Sequence, residues 1–515
     1  MPIVIPPLCR KFAAVLTAAA GACSSAWSSD YYDAATNTVR LREVIVGDAV
    51  YKKVIVGFGQ LLSLNQGEPQ AAMSAYSTTS GVLSVPFIRV GSSQATNGSG
   101  TITQVVSVGP ELRLDTRLPS GETYGAFKAA ALAAWREVPR YIDPARYQAQ
   151  LRQLETSTSC YGFAADDLIP ASKSSLSWAD DVHLNVLYPM RTTRYDIAYW
   201  PNTAFPAPFT RVNIDANVYA QSDERVAQLR NALVDRLIHL GSSSASASVR
   251  EELKAQLLAH ARANALSDGL LVNWSTTITP NTPVHFELLP LGLHLIHAFS
   301  HVAALYTPPE RQLVGDWLNR FVGRVLSSSW AGNRQDNKAY YRSQLALAWG
   351  LIAGNSGLVR NAILMFKHAL NEVRPDGSFV NESSRGGSAN LYQSQAADSL
   401  LSLAVALEEN LGLPALTFQI DGKSVWTVAG RVLDAQADQV RIASQYGKSC
   451  EQGSFGTVSS PDPRWGSLQQ ISFLRIALKR DGLGAVPARI RQIPWARHYY
   501  PEREGVDLMS VLGGD

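Results

Sequence analysis

The sequence predicts a mainly α-helical protein, built of helix hairpins and preceded by a small β module, and three observations carry that prediction. From about residue 120 onward, apolar residues recur at helical spacing in one segment after another. Short polar breakers separate those segments. Residues 28–118 read instead as alternating strands between Gly, Asn and Ser turns. With 515 residues, 46% hydrophobic and 17% charged, the chain is long and apolar enough for a large core or two domains.

The first segment, MPIVIPPLCRKFAAVLTAAAGACSSAWSS, sets Arg10 and Lys11 ahead of a short apolar stretch, Phe12 to Ala22. Small residues follow, with cleavage options at Ala20-Gly21-Ala22 and Ser24-Ser25-Ala26. This is the pattern of a secretory signal peptide over residues 1–26, and it predicts export to the periplasm or the medium. Ala20-Gly21-Ala22-Cys23 is a poor lipobox, so a lipoprotein is the lesser alternative. The apolar stretch is too short to span a bilayer, and no later segment approaches the roughly 20 apolar residues a spanning helix needs. Without the two leader cations the net charge falls from +3 to about +1, which argues against nucleic acid as a partner.

Cys9 and Cys23 lie in or beside the leader, which leaves Cys160 and Cys450. In an oxidising compartment these two allow one disulfide; two free buried thiols are the alternative. There is no CxxC and no Cys/His cluster, so no zinc site is predicted.

The β module contains an internal repeat. YDAATNTVRLREVIVG, from Tyr32, and YSTTSGVLSVPFIRVG, from Tyr76, share a Tyr, a Thr/Ser-rich turn, a short alternating strand and a closing Val-Gly. Val39, Leu41, Ile45, Tyr51, Val54 and Val56 in the first copy, and Val82, Val85, Ile88 and Val90 in the second, have the branched or aromatic character of strands. The module either packs structurally against the larger domain or binds carbohydrate.

In the region from 120 to 515, Val314, Trp317, Leu318, Phe321 and Val325 recur at helical spacing. So do Leu345, Ala348, Trp349 and Ile352, then Ala362, Met365, Phe366 and Ala369, then Leu400, Leu403, Ala404 and Leu407. Earlier helices are predicted near 223–240, 249–266 and 285–306, with SDG, TPPER, AGNRQD, AGNSG and RPDGS as breakers. Antiparallel hairpins with short turns can close into a bundle or wrap into an α/α toroid, and periodicity alone does not choose.

Two helix starts hold unusual polarity. NRQDNKAYYRS makes Asp336 a candidate N-cap and puts Asn337, Lys338 and Tyr341 in the first turn or so. ESSRGGSANLYQSQ does the same with Ser388 as candidate cap and Tyr392 one turn in. Helix N-termini carry free N–H groups and partial positive charge, and Arg334, Lys338, Arg342 and Arg385 add formal charge around them. An anionic ligand is implied. Gly386 and Gly387 leave room for a sharp approach that would bring Arg385 and Tyr392 to one cleft. An arginine beside a tyrosine favours the phenolate, lowering the phenol's pKa from near 10, so that it can serve as a base. The plainer alternative is that Arg385 pairs with Glu382 while Tyr392 packs in the core.

DNKAYYRSQLALAWGLIAGN followed by RPDGSFVNESSRGGSANLYQSQAADSLLSLA resembles the central motif pair of the alginate lyase family of polysaccharide lyases. In that family an Asn/Asp-Asn-His-x-Tyr-Trp segment precedes Asp-Gly, then Glu, Arg and Tyr at the spacing found here. Asp336-Asn337, Tyr340, Asp376-Gly377, Glu382, Arg385 and Tyr392 match in register. Lys338 stands where the family has histidine, and Tyr341 where tryptophan is usual. The resemblance covers residues 330 to 410 and leaves the β module outside.

It implies an α/α toroid, complete or incomplete, and cleavage of uronate polymers by β-elimination without a metal or other cofactor. The C5 proton of a uronate is hard to remove until the adjacent carboxylate is neutralised, so amide and cationic groups are needed where charge develops. A base then takes the proton and an acid protonates the departing O4. On this resemblance Tyr392 is base and acid, Asn337 and Arg385 neutralise the carboxylate, and Glu382 orients Arg385. Lysine normally stays protonated where histidine can exchange a proton, so Lys338 becomes a carboxylate clamp. Alternatively, His183 supplies the missing imidazole, or the site has changed substrate or lost activity.

Further substrate contacts are assigned to Arg334, Tyr340, Tyr341 and Arg342, and to WADDVHLNVLYPMRTTRYDIAYW, where Trp178, His183, Tyr188, Arg191 and Arg194 mix aromatic rings with arginines. In HLIHAFSH, His297 and His301 stand at i, i+4 with apolar flanks and no intervening glutamate, which favours core histidines over a zinc-protease helix. There is no GxSxG elbow, P-loop or dinucleotide fingerprint. The leading expectation is an exported lyase acting on an acidic polysaccharide, alginate rich in mannuronate or glucuronan. A hydrolase pairing Asp180 or Asp181 with Asp376 or Glu382, and a non-catalytic polysaccharide-binding protein, are the alternatives.

Overall fold

Branched residues alternating with polar ones build the strands of the N-terminal module: β1 (Tyr31–Asp33), β2 (Thr38–Val46), β3 (Ala49–Asn65), β4 (Ser74–Tyr76), β5 (Val82–Val85), β6 (Ile88–Val90), β7 (Ser93–Ala95), β8 (Asn97–Ser107) and β9 (Glu111–Arg113). The computed structural model describes residues 30–65, 68–90, 93–95, 97–109, 111–138, 144–157, 176–178, 203–210, 212, 224–240, 246–267, 283–327, 337–448 and 459. The proposed leader, Cys160 and Cys450 lie outside them.

The two sequence repeats each open as a hairpin, β1–β2 and β4–β5. They then diverge. The first copy continues as one strand to Val46, whereas the second is divided after Val85, where Pro86 lacks the N–H that a ladder needs. Pairing runs β2–β4, β4–β5, β5–β8, β8–β3 and back from β3 to β2, so five strands close into a small barrel. Val39, Leu41, Val54, Val56, Phe58, Leu83, Val85 and Val105 form its core.

Helices follow: α1 (Tyr124–Arg136), α2 (Pro144–Thr156), α3 (Glu224–His239), α4 (Ser246–Arg262), α5 (Pro283–Val302), α6 (Pro308–Ser327), α7 (Asn337–Ala353), α8 (Ser356–Glu372), the short α9 (Val380–Ser383), α10 (Ala389–Leu411), α11 (Val425–Ala437) and α12 (Gln439–Tyr446). The breakers act as caps. Asn355 of AGNSG accepts from Gly357 N and Leu358 N at the head of α8. Helix α7 packs against α5, α6, α8 and α10, which places its start beside that of α10. One later segment, Leu288–Leu305, does reach the length and apolarity of a spanning helix by composition alone, though no membrane span is indicated. Its stretch is 83% buried in the fold, as befits a core helix.

The module is bound to the helices by part-buried polar contacts. Arg42 on β2 donates to the Glu408 and Glu409 carbonyls at the C-terminal end of α10, and Lys128 on α1 donates to Asn410 O at 3.3 Å. These cations complement the free carbonyls and negative pole of that helix end. Glu43 on β2 receives Lys52 Nζ at 2.6 Å and the Tyr124 hydroxyl, and lies 3.3 Å from Lys128 Nζ. The opposite end of α10 carries Tyr392.

Candidate active site

The turn between α8 and α9 is a tight loop closed by an antiparallel bridge of Val373 to Phe379. Gly377 sits in it at φ +88°, where a side chain would also strike the Thr427 carbonyl, so glycine is required on both counts. Gln393 of α10 clamps the loop, accepting from Phe379 N at 2.8 Å and donating to Gly377 O at 3.0 Å. Asp376 is engaged by other groups: it binds Ser378, accepts from the Tyr446 hydroxyl at 3.0 Å and pairs with Arg431 at 3.2 Å. Burial would raise the Asp376 carboxyl, but the Ser378 bonds, Arg431 and Tyr446 hold it below the usual carboxylate range.

After α9 the backbone makes a single 3-10 turn, Gly386–Ser388, with Gly386 at φ +56°, and runs directly into α10. Ser388 is therefore already helical, at φ −91° and ψ −1°, and makes no side-chain cap bond. Ser388 thus occupies the N-cap position, as read from the sequence, but its side chain does not cap, because a capping side chain needs an extended backbone to reach the first turn.

Glu382 joins the two polar segments. One carboxylate oxygen accepts from Asn337 N at the first residue of α7, and the other pairs with Arg385 at 3.0 Å, with both ion-pair partners buried. The Arg385 guanidinium lies over the Tyr392 ring, 3.2 Å from its centroid. The pairing of Arg385 with Glu382 and its approach to Tyr392 thus occur together. Tyr392 is half-buried rather than sealed in the core. Lys338, the second residue of α7, is half-buried as well. Asn337 is 1% exposed, and its Nδ2 donates to Gln395 Oε1 at 2.8 Å.

Four residues read from sequence as substrate contacts are placed inside the fold instead. Trp178 is fully buried, its ring 5.3 Å from Phe299 and 5.7 Å from Trp349. Tyr340 is buried with its hydroxyl on Glu372 at 3.1 Å and its ring against Phe379; Tyr341 is also fully buried. Arg342 donates to Leu326 O at 2.6 Å, and burial pulls its guanidinium down to about 10. All four have faces that look inward from their segments, which residue type alone could not indicate. Arg334, Asp336, Asp180, Asp181, His183, Tyr188, Arg191 and Arg194 lie outside the described residues. Of the core histidines, His294 donates its Nδ1–H to Pro290 O at 2.7 Å, and burial, with Arg230 and His297 nearby, lowers it to about 3. His297 and His301 meet through their Nε2 atoms at 3.2 Å. Among the described residues no group of three or more His, Cys, Asp or Glu side chains could hold a metal ion.

Sequence reasoning missed Gln393 and Gln395, which contact the loop and Asn337. Gln395 was open to discovery, since it stands three residues after Tyr392 and so on the same helical face.

Residues 284–442, which contain Asn337, Lys338, Glu382, Arg385, Tyr392 and Gln395, match the family model described as Alginate lyase. Over this segment, less than a third of its length, the chain is similar to the alginate lyase family. It is a polysaccharide lyase. Comparison with curated proteins finds no match. Solved structures of alginate lyase A1-III are similar at 17% identity. A tyrosine-to-phenylalanine variant complexed with tetrasaccharide aligns over 73% of this chain and 99% of its own, with a TM-score of 0.48. A histidine-to-alanine variant complexed with tetrasaccharide aligns over 66% and 88%, with a TM-score of 0.44. The enzyme from Sphingomonas species A1 aligns over 74% and 100%, with a TM-score of 0.43.

Proposed function

We propose that this lyase is exported and cleaves an acidic uronate polysaccharide, polymannuronate-rich alginate or glucuronan, by β-elimination. Its helical domain is read as an α/α toroid, supported by α5, α7 and α10 packing one beside the next with α8 against both α7 and α10. The observation that carries the mechanism is the linkage Asn337–Glu382–Arg385–Tyr392, which gathers an amide, a cation and a part-open phenol around one carboxylate.

In this reading Arg385 and Asn337 take up the charge that develops on the uronate carboxylate as C5 loses its proton, in a site shielded enough for those dipoles to count. Tyr392 removes that proton and returns one to O4 as the C4–O4 bond breaks and a C4–C5 double bond forms. Glu382 holds Arg385 and the first N–H of α7 in place, a positioning role. Lys338, half-buried at the helix start, serves as a second clamp on substrate carboxylates. No step calls for a metal.

The hydrolase alternative is less well supported. Glu382 is engaged at both oxygens, and Asp376 by Ser378, Tyr446 and Arg431, so neither is placed as a free member of an acid–base pair. The test is incubation of the mature protein with polymannuronate, polyguluronate, glucuronan and pectate while following the ultraviolet absorbance of unsaturated uronate ends. A rise with one polymer establishes elimination and names the substrate. Release of reducing ends without that absorbance would replace elimination by hydrolysis, and binding without turnover would leave a polysaccharide-binding protein.

A further inference from the structure

Three contacts run from Asn337 through Glu382 and Arg385 to Tyr392, and a fifth residue, on the same helix as Tyr392, reaches back to Asn337. Gln395 lies one helical turn beyond Tyr392 on α10, and its Oε1 accepts from Asn337 Nδ2 at 2.8 Å. Gln395 is 8% exposed and Asn337 1%, so water competes little for this bond. Asn337 Oδ1 is buried and has no hydrogen-bond partner among the described residues. An orphaned buried acceptor is costly and calls for a ligand donor such as a sugar hydroxyl, while the second Nδ2 hydrogen of the same amide is the one that can donate to a carboxylate.

We propose that Gln395 is a positioning residue: by holding Nδ2 it fixes the plane of the Asn337 amide, so that the uronate carboxyl group meets the amide in one orientation. This rests on the lyase reading above. Glu382 fixes the Asn337 backbone and Gln395 fixes its side chain, and the two holders come from different elements, α9 and α10. The same helical face therefore carries both Tyr392 and the residue that sets the distance and angle between the phenol and the amide.

The experiment uses the full chain and the polyuronate that the wild type cleaves. Gln395→Met keeps the side chain's length but removes the acceptor, and Gln395→Glu keeps the acceptor. Gln395→Met should lower kcat roughly 10- to 100-fold, the scale of a misplaced reacting group, with KM moved far less. Gln395→Glu should recover most of the loss. In an Asn337→Ala background, Gln395→Met should add no further loss, because its effect runs through the amide. Affinity for an unsaturated-end-free tetrauronate in a Tyr392→Phe background gives a second readout that does not depend on turnover. Thermal unfolding checks each variant, and Gln395→Ser replaces Gln395→Met if the latter does not fold. Unchanged kcat in Gln395→Met, or additive losses in the double variant, would overturn the proposal while leaving the lyase reading intact. A wild type that neither cleaves nor binds any polyuronate overturns both.

Discussion

Two buried clusters in this protein use the same ingredients, a glutamate, cations and a tyrosine, yet differ in what is left open. At the junction of barrel and helices, Glu43 gathers Lys52, Lys128 and the Tyr124 hydroxyl, and Tyr124 is 3% exposed. At the start of α10, Glu382 gathers Arg385 and the Asn337 N–H, the Arg385 guanidinium lies over the Tyr392 ring, and Tyr392 stays half-buried. In the first cluster burial and the neighbouring Glu43 push the Tyr124 phenol well above its ordinary pKa, which makes it a permanent donor. The lesson is that a phenol sealed onto a carboxylate is a lock. A phenol stacked under a guanidinium, with part of its surface open, can meet a substrate.

The largest effect that would break this contrast is at Tyr392. Tyr392→Phe should lower turnover by about 10²- to 10⁴-fold, the usual worth of a positioned proton-transfer group, while oligouronate binding persists in calorimetry. Retained turnover would remove Tyr392 from the mechanism. Next is Glu382→Ala, which leaves Arg385 buried without its carboxylate. Stability should fall by about 3–5 kcal/mol in denaturant titration, with turnover lost as well. If only stability fell, Glu382 would belong with Glu43 as a lock.

Acid titration sharpens the comparison from the other side. Burial by itself would raise the Glu43 carboxyl, but Lys128 and Lys52 more than offset this and hold it far below the usual carboxylate range. Above an unfolded-state pKa of about 4.3, its stabilising effect is fully present; as pH falls below that value toward the depressed folded one, it is progressively lost. Glu43→Gln should therefore flatten the acid limb of the stability–pH curve without changing turnover per folded molecule at neutral pH. An acid limb identical to the wild type would deny Glu43 this role. The smallest effect is at Arg42, whose guanidinium serves the carbonyls ending α10. Arg42→Met should cost about 1–2 kcal/mol in thermal unfolding. A change in kcat beyond that loss of stability would show that the barrel tunes the site helix from its far end.

Much of the fold was legible because helical periodicity and breaker residues are local properties. Val314 to Val325 and Leu400 to Leu407 lie in helices at the expected places, and the Asn355 turn is a true cap. The pairing of the two polar helix starts was legible through residue type and spacing. What was not legible was direction. Trp178, Tyr340, Tyr341 and Arg342 have the chemistry of sugar-binding groups, yet they point into the core. Ser388 has a capping side chain, but a preceding 3-10 turn had already set its backbone.

By itself, then, the sequence determined which segments could be strands and helices, where they end, and which polar residues are out of place in an apolar setting, because these follow from side-chain volume, period and backbone freedom over a few residues. Tertiary structure alone decided the closure of five strands into a barrel, the reach of Arg42 to a carbonyl 366 residues away, and the meeting of Asn337 with both Glu382 and Gln395. Those outcomes depend on long-range packing that brings separate surfaces out of water together, and on hydrogen bonds whose partners have no fixed separation along the chain.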